Sequence, residues 1–259
     1  MNAPPNRTVA AGLVAVVLIV AAVGSLSVLG FPVQPLDQHG SDGPNPCVGT
    51  MTERPENATL LTVQGARGGE KTDAMLMSFA PNGSVIGVHN ADDNGRWWGY
   101  DVDPLPSGDL LFSSTIPDHS VVERIDPTTG DHRDVWVFNG SDRPDLHDSH
   151  DADLINGDEL VMNNMPRNGN DSVVVYNLTR EEVVWEYRFA DHPEAFPKDG
   201  GGTFGDDWTH NNDVERIAEG VFMVSVRNYD QVVAINRSTK EVEWRLGQDD
   251  NADILDEQH

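Results

Sequence analysis

Three stretches of the chain repeat one another, and internal repetition restricts the fold more than any other feature of a sequence. From Tyr100, "YDVDPLPSGDLLFSS" leads to "VVERIDPTTGDHRDVW". From His150, "HDADLINGDELVMNN" leads to "VVVYNLTREEVVW", and from His210, "HNNDVERIAEGVFMVS" leads to "VVAINRSTKEVEW". Each unit holds an acidic or amide pair two residues apart (Asp101 and Asp103, Asp151 and Asp153, Asn211 and Asp213), then a strand, a Val-Val strand, a polar turn and a tryptophan (Trp136, Trp185, Trp244). The tryptophans recur roughly every 50 to 60 residues, the length of four short strands and their loops, which is one propeller blade. Outside one N-terminal stretch, no segment carries a helical apolar period. The fold predicted is all-β, a β-propeller, with the Trp and Val-Val positions packing between blades.

Residues 58 to 98 supply β-type runs for one more unit, giving about four blade-like repeats. The last unit stops at His259, in the position where His150 and His210 open theirs, so the propeller is expected to be incomplete, lacking its closing blades. Before the β domain, expected over 57–259, residues 31–56 are rich in Pro, Gly and Asp and read as an extended stalk. Residues 1–30 contain an uncharged run from Val9 to Gly30, close to the roughly 20 residues of a membrane-spanning helix. It reads as a retained single-pass anchor, with cleavage after a small-x-small site at Ala22 to Gly24 as the alternative. With seven N-x-Ser/Thr sequons, this places the β domain on the extracellular side of a cell membrane.

The formal charge is −26, from 43 acidic against 17 basic residues, and Lys71, Lys198 and Lys240 are its only lysines. Such a surface disfavours nucleic acid as a partner and suits very high salt, where repulsion between carboxylates is screened, as in a halophile's protein. Cys47 is the sole cysteine, which excludes an internal disulfide and a cysteine zinc site.

In a propeller the first strand of each blade lines the central channel, so equivalent positions converge on the axis. His150 and His210 should then face one another at the channel mouth, joined by His259, with Tyr100 in the same register and Arg227 and Asn212 close by. A guanidinium fork, protonated imidazoles and an amide suit an anion with several oxygens, such as a sulfuryl or phosphoryl group in transfer. A neutral imidazole in the ring could attack that group and carry it covalently. Two other readings stay open at this point. One is a non-enzymatic surface propeller that binds a glycan or a protein partner; the other is a hydrolase with a divalent ion between His147, His150 and Asp151. "DADLING" has the wrong spacing for a calcium loop, and Asn156-Gly157 reads as a tight hairpin turn.

The segments "SHDADLINGDELV", "DWTHNNDV", "VSVRNYDQVVAI", "VEWRLG" and the terminal "DEQH" resemble the arylsulfotransferase family of β-propeller enzymes, especially its membrane-anchored haloarchaeal members, from about Asn57 to His259. The resemblance implies a transfer that uses neither nucleotide donor nor other cofactor nor metal. A sulfuryl group would pass from a phenolic sulfate ester to a phenol acceptor through a sulfated histidine, in a ping-pong cycle. It implies His259 as the nucleophile, with His150, His210, Asn212 and Arg227 holding and polarising the sulfuryl oxygens. Because His259 is the final residue, the chain by itself is expected to hold it too loosely for activity.

Overall fold

The computed structural model describes residues 57–90, 95–117 and 119–247, and these are all-β. In chain order, β1 (Thr59–Val63), the short hairpin β2 (Ala66–Arg67) and β3 (Glu70–Lys71), β4 (Met75–Phe79) and β5 (Val85–Asn90) give a three-stranded sheet β1-β4-β5 with the hairpin beside it. Three four-stranded antiparallel meanders follow. The second sheet comprises β6 (Trp97–Pro104), β7 (Leu110–Ile116), β8 (His119–Ile125) and β9 (His132–Phe138). The third comprises β10 (Ala152–Ile155), β11 (Glu159–Asn164), β12 (Ser172–Asn177) and β13 (Glu182–Arg188). The fourth comprises β14 (Asn211–Ala218), β15 (Val221–Val226), β16 (Gln231–Asn236) and β17 (Val242–Leu246). The three repeats of the sequence are thus three meanders, the propeller-like arrangement, and the run at 58 to 98 contributes the three-stranded sheet and the start of β6. Val9–Gly30 and residues 31–56 lie outside the described residues, and no helix among the described residues is long and apolar enough to cross a membrane.

The same local chemistry closes equivalent turns. Strand β8 is followed at once by Asp126, whose carboxylate accepts from Thr128 N at 2.8 Å; β12 ends at Asn177, whose Oδ1 accepts from Thr179 N and Arg180 N; β16 ends at Asn236, whose Oδ1 accepts from Ser238 N and Thr239 N. A short polar side chain at that position mimics a backbone turn. At Asn177 this turn, with the residue 6% exposed, accounts for one of the sequons structurally. The β10–β11 hairpin turns at Asn156 and Gly157, both at positive φ (53° and 84°), as their residue types predict.

Consecutive sheets pack face to face. One cluster joins Leu76 of the first sheet to Leu110, Phe112 and Ile125 of the second; another joins Leu111, Val122 and Phe138 to Leu160, Met162, Val174 and Tyr176; a third joins Val161, Val173, Val175 and Tyr187 to Val214, Phe222, Val224 and Val233. Along β12, Val173 and Val175 enter one cluster while Val174 and Tyr176 enter the other, which is why "SVVVYN" is apolar without alternation and wholly buried. Trp136 and Trp185 pack partly buried against the following sheet, and Trp185 also donates from Nε1 to Arg237 O at 2.7 Å. Trp244 departs from the expectation: it holds the same register, opposite Ala234, yet is 42% exposed, because among the described residues no further sheet covers it.

Candidate functional site

The first strand of each meander is entered by a ring, and the rings meet. Tyr100 of β6 stacks on His150 with centroids 4.1 Å apart and 23° between planes, and His150 lies edge-to-face with His210 at 5.1 Å. Asn212 and Arg227 join them, so the structure gathers four of the five site residues expected from the sequence. The fifth, His259, lies outside the described residues. The chain reaches these positions through left-handed backbone at Asp148 (φ 47°) and His210 (φ 45°), a region that Asp and His tolerate better than most residues.

Three buried polar groups fix the entry segments. The Asn163 side chain, fully buried at the end of β11, accepts from His150 N at 3.1 Å and Asp151 N at 3.0 Å, and donates from Nδ2 to Asn211 O at 2.6 Å. One amide therefore sets both imidazole-bearing segments. Ser113 holds the equivalent place in the second sheet, accepting from Asp101 N at 3.1 Å. Asp171 Oδ2 accepts from Thr209 N at 3.0 Å and Thr209 Oγ1 at 2.8 Å, anchoring the residue before His210. Sequence reasoning missed Asn163 and Asp171. Alignment of "LVMNN" on "LLFSS" would have marked Asn163, whereas Asp171 lies 38 residues from Thr209 and left no local signal.

The charge states differ from the sequence expectation. His150 Nδ1 is 2.8 Å from Asn212 Oδ1, an oxygen that can only accept, so Nδ1 carries the proton. Burial pulls the His150 pKa down to about 4, with the His210 ring pushing the same way, against Asp148 and Asn212, which favour the cation. His210 Nε2 is 3.0 Å from Arg227 Nη1; arginine has only donors, so Nε2 is the acceptor and Nδ1 donates to Asp207 Oδ1 at 2.6 Å. The site therefore presents a neutral His150 imidazole and one fixed cation, Arg227, where a protonated histidine was expected. Desolvation of the His150 ring is the chief cause. Asp207, three residues before His210, fixes its tautomer.

Along the same first strands, the repeated acidic pairs converge. Oxygens of Asp101, Asp103 and Asp151 lie within 4.8 Å of one another, and Val214 N donates to Asp151 Oδ2 at 2.6 Å. Burial, then the neighbouring Asp103, raises Asp101 to about 7 and Asp153 to about 8, and burial raises Asp151, Asp213 and Glu215 as well. Asp101 and Asp153, at about 7 and 8, therefore hold protons into the neutral range, shared within the cluster.

Among the described residues, the groups able to ligate a metal are this acidic cluster, His89 with Glu123 and His132, and His119 with Asp145 and His147. The set anticipated from the sequence, His147 with His150 and Asp151, has separate partners: Asp145 for His147, Asn212 for His150 and Val214 N for Asp151. Beside the rings a cavity of about 460 Å³ is lined by Lys71, Trp97, His147, Asp148, Met165 and Arg167.

The sequence model of the arylsulfotransferase (ASST) family matches residues 118–254. No curated protein gives a match. Similar solved structures include a protein of unknown function from Bacteroides caccae (12% identity, 68% of this chain and 56% of that chain, TM-score 0.47) and the hydrazine synthase of Kuenenia stuttgartiensis (13% identity, 68% and 49%, TM-score 0.42). The chain spans about half the length of these structures.

Proposed function

Since the chain belongs to the arylsulfotransferase family, we propose that it serves sulfuryl transfer from a phenolic sulfate ester to a phenol, as part of a β-propeller enzyme. The observation that carries this reading is the convergence of His150, His210, Asn212 and Arg227 at the heads of successive sheets. Arg227 spends one N–H on His210 and keeps further donors for sulfuryl oxygens, whose charge grows as the ester S–O bond breaks. Asp207 and Asn163 hold the rings in place, and His150 presents an unprotonated Nε2, 4.0 Å from Asp148 Oδ1 and outside hydrogen-bond range.

In the first half-reaction a histidine nitrogen, assigned to His259, forms an N–S bond while the ester S–O bond breaks, and the phenolate leaves and takes up a proton. In the second, the acceptor phenol gives up its proton, its oxygen forms the new S–O bond and the N–S bond breaks. The cavity with Trp97, Lys71 and Arg167 offers an aromatic face and two cations to an aryl sulfate. We read Val9–Gly30 as the anchor that holds this domain outside a haloarchaeal membrane.

The test is transfer from 4-nitrophenyl sulfate to phenol by the full-length gene product. Release of 4-nitrophenol that requires the acceptor, and its loss in His259→Ala, support the reading. No transfer, or transfer indifferent to His259→Ala, rejects it.

A further inference from the structure

We propose that His119, Asp145 and His147 form a binding site for a single divalent transition-metal ion, of the zinc type, which fastens the segment carrying His150 to the start of β8. His119 Nδ1 lies 3.1 Å and His147 Nε2 lies 3.3 Å from the same oxygen, Asp145 Oδ1. Those are the lengths of hydrogen bonds, yet His119 Nδ1 is buried and has no hydrogen-bond partner, because the groups are not aligned to donate to one another. Their ligand atoms lie within 4.8 Å of one another, close enough to share one ion. With ligand distances of about 2.0 to 2.1 Å and a tetrahedral angle, neighbouring ligand atoms stand about 3.3 Å apart. The two rings lie 5.1 Å apart and tilted by 41°, so they converge at their edges without stacking.

The backbone under the group is fixed. Ser120 N donates to Leu146 O at 2.9 Å, Leu146 N to Phe138 O at 3.1 Å and Met165 N to His147 O at 2.8 Å, while His147 N is held by Asn164 Oδ1. Two imidazoles and a carboxylate, preorganised in this way, are a borderline-soft ligand set that suits zinc better than calcium or magnesium. The side chains of His119, Asp145 and His147 are 29%, 55% and 24% exposed, which leaves an entry path and room for water in the fourth position. In the other histidine–carboxylate group His89 Nε2 and Glu123 Oε2 lack hydrogen-bond partners, but Glu123 Oε1 already holds both Arg96 and His132, and the Arg96 guanidinium disfavours a second cation there. Asp148 and His150 follow His147 directly, so an ion here would act on the proposed sulfuryl site by positioning; the ligand geometry stands independently of that function.

The experiment is titration of the chelator-treated full-length protein with Co²⁺, read by visible absorption, and with Zn²⁺, read by calorimetry and thermal melting. One equivalent should bind, with the d–d bands of a tetrahedral cobalt site and a raised melting temperature. His119→Gln and His147→Gln should each weaken binding by more than the roughly 10–100-fold that loss of an outer-sphere partner costs, while His132→Gln should leave it unchanged. Melting in chelator shows whether the variants fold. Absence of the cobalt bands in the folded wild type, or binding that survives both His119→Gln and His147→Gln, overturns the proposal.

Discussion

Replacing Asn163 by leucine removes the amide that fixes both imidazole-bearing segments while keeping the side chain's bulk. His150 N, Asp151 N and Asn211 O then lose their shared partner, and Asp151 and Asn211 are buried residues. A buried polar group left unpaired costs about 1–3 kcal/mol, so three of them cost at least about 3 kcal/mol. Leucine is already surrounded by protein at this position and regains about 1 kcal/mol through its apolar area. A net loss of at least about 2 kcal/mol follows, which for a domain of this size lowers the melting temperature by at least roughly 4 °C. Circular dichroism melts of the two proteins at one pH and salt concentration measure it directly. Asn163→Asp retains the acceptor for the two N–H groups but sets a carboxylate oxygen against Asn211 O, and should also destabilise. A loss below about 1 kcal/mol in Asn163→Leu would refute the claim that one amide holds the junction.

Further predictions concern the same region. A Cβ added at Gly202 would meet Asp207 O at 1.8 Å, so Gly202→Ala must displace the backbone that presents Asp207 to His210, destabilising by about 1–3 kcal/mol in denaturant titration and reducing turnover. Asp101 and Asp153 bind protons more tightly in the folded chain than unfolded, so the stability they contribute is complete below pH 4 and is lost as pH rises towards 8. His150, lowered from 6.5 to about 4, acts in the opposite sense over that lower range, which leaves the window from pH 6.5 to 8 to the carboxyls. Melting temperature should fall across that window by the equivalent of on the order of 1–2 kcal/mol, and Asp153→Asn should flatten the fall; an unchanged slope contradicts the shared-proton description. Trp185→Ala, which removes a contact with Phe222 and a bond to Arg237 O, should destabilise by about 2–4 kcal/mol, whereas Trp244→Ala should cost under about 1 kcal/mol.

The repeat made much of this legible, because equivalent positions in sequence become equivalent positions in space. Tyr100, His150 and His210 could be placed together from their shared register, and the turns at Asp126, Asn177 and Asn236 follow from short polar side chains at strand ends. The charge of the site could not be read this way. Which nitrogen of His210 accepts is set by the approach of Arg227, and His150 is neutral because the fold strips water from it. The partner of His147 was equally hidden: the nearby His150 suggested a shared ion, but the backbone sends the two rings to different neighbours, and His119 arrives from another strand. Trp244 shows the limit of repetition, since burial depends on the neighbouring sheet as well as on register.

The most direct measurement is kcat/KM for aryl sulfate in the full-length gene product carrying Arg227→Ala, beside Arg227→Lys. If Arg227 is the fixed cation gripping the sulfuryl oxygens, the alanine variant loses about 10²–10³-fold, mostly in kcat, and lysine restores only part because it lacks the planar fork. Turnover within a few fold of wild type in the folded alanine variant would contradict the account.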